Sequence, residues 1–323
     1  MSPTIARAWA TLQARHGVLA RLRDRPMDAA ALASALGIDP DQADALGAWL
    51  DLGASAGLLR KDGTRYALRG IAKPLALASH DPVAAFYTEL VELEYPLVTE
   101  AIDRLRQRRP FVISDADADL IARTSRMSEA PIAALLEQVV PAHGPVRLVE
   151  VGCGSGAHIR AAAAVNPQLT ALGVELQEPA ADQARANLAA WGLSDRVMVQ
   201  VGDVRDATGT ADADVVTLHQ NIYYFPQAER AELLRHLGGF LRPGGRLVVT
   251  TIARDTGHAS AGLDLWCALT EGADRLPTAA SLEADARAAG YTDVEALPLM
   301  SGGMYVGLVA TWPGSLGADA AER

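Results

Sequence analysis

The chain has 323 residues, of which 50 % are apolar and 21 % charged, a globular composition that excludes a disordered, collagenous or coiled-coil protein. Its 29 Lys and Arg against 39 Asp and Glu leave a net charge of −10, the wrong sign for a phosphate backbone. The only cysteines, Cys153 and Cys267, make no disulfide framework. No stretch approaches the roughly 18 apolar residues that span a bilayer, and Met1 to Ala20 lacks the apolar core of a signal peptide. A soluble cytoplasmic protein is expected, with neither nucleic acid nor membrane as partner.

The hydrophobic pattern changes near residue 145. Before it, apolar residues recur at helical spacing; after it, short apolar runs alternate with helical stretches, as in βαβ units on a parallel sheet. Val18, Leu19 and Leu22 fit a helix ending before Pro26. Asp28 is placed to cap a second helix that Gly37 stops, and Asp39-Pro40 restarts a third with Leu46, Trp49 and Leu50 on its buried face. Leu58 to Leu68 reads as two strands around Asp62-Gly63. Three helices and a hairpin make a winged helix over residues 1–80. A helical connector follows over 81–144, broken at Pro96, Pro110 and Pro131. The third helix carries Asp39, Asp41, Asp44 and Asp51 and no Lys or Arg, which opposes entry into a DNA groove. Pairing of two subunits is the expected use of this half, giving a homodimer. The tail after Trp312 is expected to fray.

Residues 145–323 carry the chemistry. Val146 to Val151 reads as a strand and runs through Gly152-Cys153-Gly154-Ser155-Gly156 into a helix. Glycines there let a ligand approach the backbone, and the helix amides favour a negative group. A second strand, Leu169 to Leu176, contains Glu175, about 20 residues on, where a carboxylate can accept ribose hydroxyls. A third, Val197 to Val201, leads into Gly202-Asp203-Val204. A fourth, Asp214 to His219, leads into Gln220-Asn221-Ile222-Tyr223-Tyr224-Phe225. A fifth, Leu247 to Thr251, follows Arg242-Pro243-Gly244-Gly245-Arg246. These turns lie at carboxyl ends of strands, where parallel sheets bind ligands.

With E-V-G-C-G-S-G, Glu175, G-D-V and L-R-P-G-G-R-L in place, the chain resembles the class I S-adenosylmethionine-dependent methyltransferases over about Val146 to Trp312. With the helical half in front, it is similar to dimeric small-molecule O-methyltransferases. The resemblance implies an α/β fold: a Rossmann-like methyltransferase sheet preceded by a mostly helical winged-helix domain. The sheet would close on a hairpin of Val294 to Pro298 and Met304 to Thr311. It implies S-adenosylmethionine as cofactor and S-adenosylhomocysteine as product. Glu150 would lie near the methionyl ammonium, Gly152, Cys153, Gly154 and Gly156 along the methionine and ribose, and Glu175 and Leu176 at the ribose. Asp203 and Val204 would flank the adenine, with Gln220 completing the cofactor site.

The chain departs from the family at one place. Aligned on Asp214 and Leu218, the usual pair of a catalytic histidine and its acidic or amide neighbour falls on Tyr223 and Tyr224. A phenol of pKa near 10 is a poor base at neutral pH, so a histidine-base mechanism does not carry over. Tyr223 and Asn221 are expected to orient the acceptor, with His219 as a third candidate at the strand end. Tyr224, Tyr95, Arg126, His258 and Trp266 are candidates for the acceptor pocket. Cys153 is read as a steric requirement of the loop. The seven histidines show no ligand spacing, and no metal is expected. The acceptor atom stays open among oxygen, sulfur and nitrogen. Cyclisation or cleavage of the cofactor, or a regulator that binds it, are the alternative readings.

Overall fold

The computed structural model describes residues 17–314, except the side chains of Asp115 and Ala116. The tail from 315 and most of the stretch read for a signal peptide lie outside the described residues. The chain forms two compact units that divide between Met127 and Ser128.

In the first unit, α1 (Val18–Asp24) buries Val18, Leu19 and Leu22. The Asp28 carboxylate accepts the Ala31 amide at 2.8 Å and caps α2 (Ala29–Leu36), which ends at Gly37 with φ 70°. A 3-10 turn, Pro40–Gln42, leads into α3 (Ala43–Ser55), where Leu50 is buried. Strands β1 (Leu59–Asp62) and β2 (Arg65–Leu68) pair antiparallel around Gly63. Asp51 of α3 takes hydrogen bonds from Lys61 at 2.6 Å and from the Tyr66 hydroxyl at 2.8 Å, so this acid of the third helix is used to hold the hairpin. After α4 (Ala72–Leu75) come α5 (Asp81–Glu89), a π-helical turn over Leu90–Glu94, α6 (Tyr95–Gln107) and α7 (Asp115–Ser125). Pro96 stands directly after the π-helical turn, and the helical run continues from Asp81 to Gln107 without the break expected there. Arg123 clamps Asp81 with bonds of 2.6 and 3.0 Å, tying α7 to α5 and holding the Asp81 carboxyl below its ordinary pKa.

The second unit begins with α8 (Glu129–Val139). Its stripe of Ile132, Leu135, Leu136 and Val139 shares one core with Leu148, Ile159, Val215 and Val248. That stripe draws α8 to the sheet and places the division at 127/128, upstream of the expected boundary at 144/145. The sequence marks the Pro141–Pro145 turn, but the burial of α8 decides which unit it joins.

The elements then alternate: β3 (Val146–Val151), α9 (Ala157–Val165), β4 (Leu169–Glu175), α10 (Glu178–Ala190), β5 (Val197–Val201), β6 (Ala213–His219), α11 (Arg230–Gly238) and β7 (Leu241–Ile252). Next come α12 (His258–Leu269), α13 (Ala279–Ala289), β8 (Thr292–Pro298) and β9 (Tyr305–Thr311). The seven strands lie in the order β5-β4-β3-β6-β7-β9-β8. The first five are parallel, and β9 runs antiparallel between β7 and β8. The strand order reverses between β3 and β6, which opens a crevice at their carboxyl ends. Among the described residues, no helix is long and apolar enough to cross a membrane. Replacing Leu136, which is 1 % exposed, by Ala is expected to destabilise the second unit by about 2–5 kcal/mol, read as a lower midpoint in chemical denaturation; an unchanged midpoint would separate α8 from this core.

Candidate functional site

The turn after β3 depends on glycine at three left-handed positions: Gly152 at φ 65°, Gly154 at 51° and Gly156 at 77°. A Cβ on Gly152 would collide with the Asn221 amide, whose Nδ2 donates to the Val151 carbonyl at 2.7 Å. Asn221 comes from the segment after β6, so one side chain ties both strands of the crevice together. Gly154 faces open space, with nothing within 4 Å of where a Cβ would stand. Its amide donates to Glu175 Oε2 at 2.9 Å, and the Gln177 amide donates to Oε1 at 3.1 Å. Glu175, at the end of β4, thereby fixes the loop on its open side. Leu176 follows with 59 % of its surface exposed.

Other predicted cofactor residues have different surroundings. Cys153 points into the core, where its sulfur fills the space a side chain on Gly173 would need. Burial pushes its thiol pKa far up, in keeping with a steric part. The Asp203 carboxylate is engaged by Arg205 of its own turn through the backbone amide and the guanidinium, which holds its pKa below the ordinary value. Val204 is buried, and its carbonyl accepts His236 Nε2 at 2.8 Å. Gln220 holds an uncommon φ of 54°, its amide bonded to the Thr250 carbonyl.

Glu150, at the end of β3, is expected at the methionyl ammonium. Its side chain is fully buried and turns to His158 Nδ1, 3.1 Å away, and to the Ile159 amide at the start of α9. Burial raises its pKa. Its second oxygen, Oε2, is buried without a hydrogen-bond partner. His158 carries no spacing that singles it out in the sequence, because its partners come from other elements.

At the end of β6, His219 is buried, with Nδ1 3.0 Å from Thr250 Oγ1. Burial first, and then the neighbouring His158, push its pKa well below the ordinary imidazole value. The two tyrosines differ in exposure. Tyr223 is 8 % exposed, whereas Tyr224 is 38 % exposed, with ring centroids 4.8 Å apart. A short 3-10 turn, Ile222–Tyr224, sets Ile222 and Tyr223 inward. Asn221 Nδ2 donates to the Val151 carbonyl, while its Oδ1 is buried without a partner. Trp266 and Cys267 are buried on α12, with the Cys267 pKa pushed up to about 12 by burial, while His258 at the head of α12 is exposed. Tyr95 and Arg126 belong to the first unit, where Tyr95 is exposed and the Arg126 charge helps to lower the Asp81 pKa.

These residues fit an adenosyl cofactor at the open side of the turn. The space above Gly154 admits a ligand against the backbone. Each Glu175 oxygen takes one backbone amide and keeps a lone pair for a hydroxyl. Leu176 offers an apolar surface for a flat base.

Comparison with known proteins agrees with this geometry. A family described as "Methyltransferase domain" matches residues 149–247. Nocamycin O-methyltransferase of Saccharothrix syringae is 34 % identical over 122 residues, which are 37 % of this chain and 42 % of that protein. The chain spans less than half the length of the curated relatives it matches. Among solved structures, the mitomycin 7-O-methyltransferase MmcR superposes with a TM-score of 0.78 at 21 % identity, over 95 % of this chain and 94 % of that one. PigF, solved with S-adenosylhomocysteine, superposes at 0.78 and 20 % identity over 94 % and 95 %. Residues 149–247 therefore match a methyltransferase domain family, and the chain has the fold of these solved methyltransferases.

Proposed function

We propose that the protein is an S-adenosylmethionine-dependent methyltransferase acting on a small molecule. The open cradle at Gly154, bounded by Glu175 and Leu176 where the strand order reverses, is the observation that carries this reading. The bound cofactor supplies an electrophilic methyl group on a sulfonium. Glu175 accepts the ribose hydroxyls, Leu176 covers one face of the base, and Asn221 keeps the glycine turn open. Asp203, held by Arg205, stays ionised at the rim and is placed to accept an exocyclic amine.

The chain contributes little to moving a proton. No histidine stands at the family's usual position, Tyr223 is buried, and His219 is closed off from solvent. Acceleration then rests on placing acceptor and methyl together, which can supply several kcal/mol. This favours an acceptor that needs no strong base: an acidic hydroxyl, a thiol or an amine. The names of the relatives favour oxygen among these. Tyr224 is the aromatic ring that opens at the sheet end, suited to an aromatic acceptor and to the sulfonium charge.

A second copy of the chain is the occupant that fits α6. Tyr95, Val98, Ile102 and Leu105 recur at helical spacing on that helix and are each exposed. Such a stripe supports homodimerisation through the first unit.

Three outcomes test these readings. Glu175→Ala is expected to weaken cofactor binding by about tenfold to a hundredfold in titration calorimetry; an unchanged affinity would remove Glu175 from the site. Tyr224→Ala is expected to raise the acceptor KM about threefold to tenfold while cofactor affinity holds; equal kinetics would place the acceptor elsewhere. The double variant Val98→Glu, Ile102→Glu is expected to halve the mass seen by light scattering, and a dimer that persists would move the interface off α6.

A further inference from the structure

A group of buried polar atoms without partners lies behind the glycine turn. In the parallel pairing of β3 and β6, Glu150 stands opposite Thr217, and His219 follows two residues later on the same face. The first turn of α9 brings His158 against them. Glu150 Oε1 is 3.1 Å from His158 Nδ1. The His158 and His219 rings cross edge to face with centroids 4.7 Å apart. One donor atom from each of Glu150, His158 and His219 lies within 4.8 Å of the other two. Yet Glu150 Oε2, His158 Nε2, Thr217 Oγ1 and His219 Nε2 are all buried and have no hydrogen-bond partner.

Such atoms are expensive: each unsatisfied buried group costs about 1–3 kcal/mol. Among the described residues no Lys or Arg pairs with Glu150, so the fully buried carboxylate lacks a fixed countercharge. The cluster is therefore a cation site by composition. Two imidazoles and one carboxylate suit borderline transition ions, whereas magnesium and calcium take oxygen ligands. Thr250 Oγ1 on His219 Nδ1 is the kind of outer partner that orients a metal-bound histidine.

We propose that Glu150, His158 and His219 bind one divalent transition-metal ion of the zinc type, enclosed behind the glycine turn. Ligands on a tetrahedral ion stand about 2.0–2.1 Å from it, so the three donors must draw closer together than in the present cluster. The ion joins β3, β6 and α9, the three elements from which the turn and its neighbours hang, and so stiffens the cradle. Glu150, on this assignment, serves the ion instead of the cofactor's ammonium. The proposal stands apart from the methyl-transfer reading, because the ion can be bound and measured without cofactor.

The test uses the tag-free full chain, stripped of metal with chelator and titrated with Co2+ and then Zn2+. One equivalent of Co2+ is expected to develop visible d–d bands that Zn2+ bleaches, and Zn2+ is expected to raise the thermal midpoint. His158→Gln and His219→Gln are each expected to weaken binding by at least about tenfold, with Glu150→Gln as a further variant and His143→Gln, at an exposed histidine, as the control. Absence of stoichiometric binding by the wild-type chain overturns the proposal whatever the variants do. Equal binding by wild type and the folded His158 and His219 variants also overturns it, by assigning the metal to surface histidines.

Discussion

The site depends on a space that Gly152 leaves empty and Asn221 fills. With no side chain at 152, the Asn221 amide reaches across to the Val151 carbonyl and joins the ends of β3 and β6, the two strands between which the sheet order reverses. A sheet that only reversed its order would have a crevice there. This contact gives the crevice a fixed wall, and the glycine turn can then present Gly154 to open space. Glu175 holds the other side of the turn through the Gly154 amide. The turn is thus pinned from both neighbouring strands while its outer surface stays free for a ligand.

Polar and apolar layers are segregated around this point. Beneath α9, Ile159 and Ala162 pack with Leu148, Ile132 and Val248 into a dry core that also takes in the Cys153 sulfur. One turn nearer the strand ends, Glu150, His158, Thr217 and His219 form a small polar layer, each with a buried polar atom that has no partner. The first layer supplies the burial that keeps the sheet folded. The second has no such benefit, and its unsatisfied atoms oppose folding unless something occupies the space among them. The two layers lie side by side, so an occupant of the polar one acts directly on the elements that carry the cradle.

Much of the fold was legible because it rests on short-range signals. Asp28, Gly37, the Asp39-Pro40 step and the Asp62-Gly63 turn mark helices and hairpin in the first unit, and each works in the structure as its chemistry dictates. The strands of the second unit, Glu175 and the glycine turn were readable for the same reason. The unit boundary was not, because the fate of α8 is decided by burial of its apolar stripe against distant strands. The burial of Tyr223 and exposure of Tyr224 follow from the phase of one 3-10 turn, which residue type does not encode. The bond from Arg205 to Asp203 was not legible, since Arg205 two residues on carries no signal that marks it as a partner. The histidine cluster escaped a search by spacing altogether, since Glu150, His158 and His219 are carried by β3, α9 and β6 and meet only in three dimensions.

Transfer of the methyl group is the centre of the account, and isotope tracing tests it most directly. The purified chain would be incubated with S-adenosylmethionine deuterated at the methyl and with a pool of small hydroxyl, thiol and amine compounds, and the label followed by mass spectrometry. The account predicts a labelled acceptor formed in equal amount with S-adenosylhomocysteine. Cofactor consumed while the label stays on methylthioadenosine would contradict it and assign cleavage or cyclisation chemistry to the same cradle.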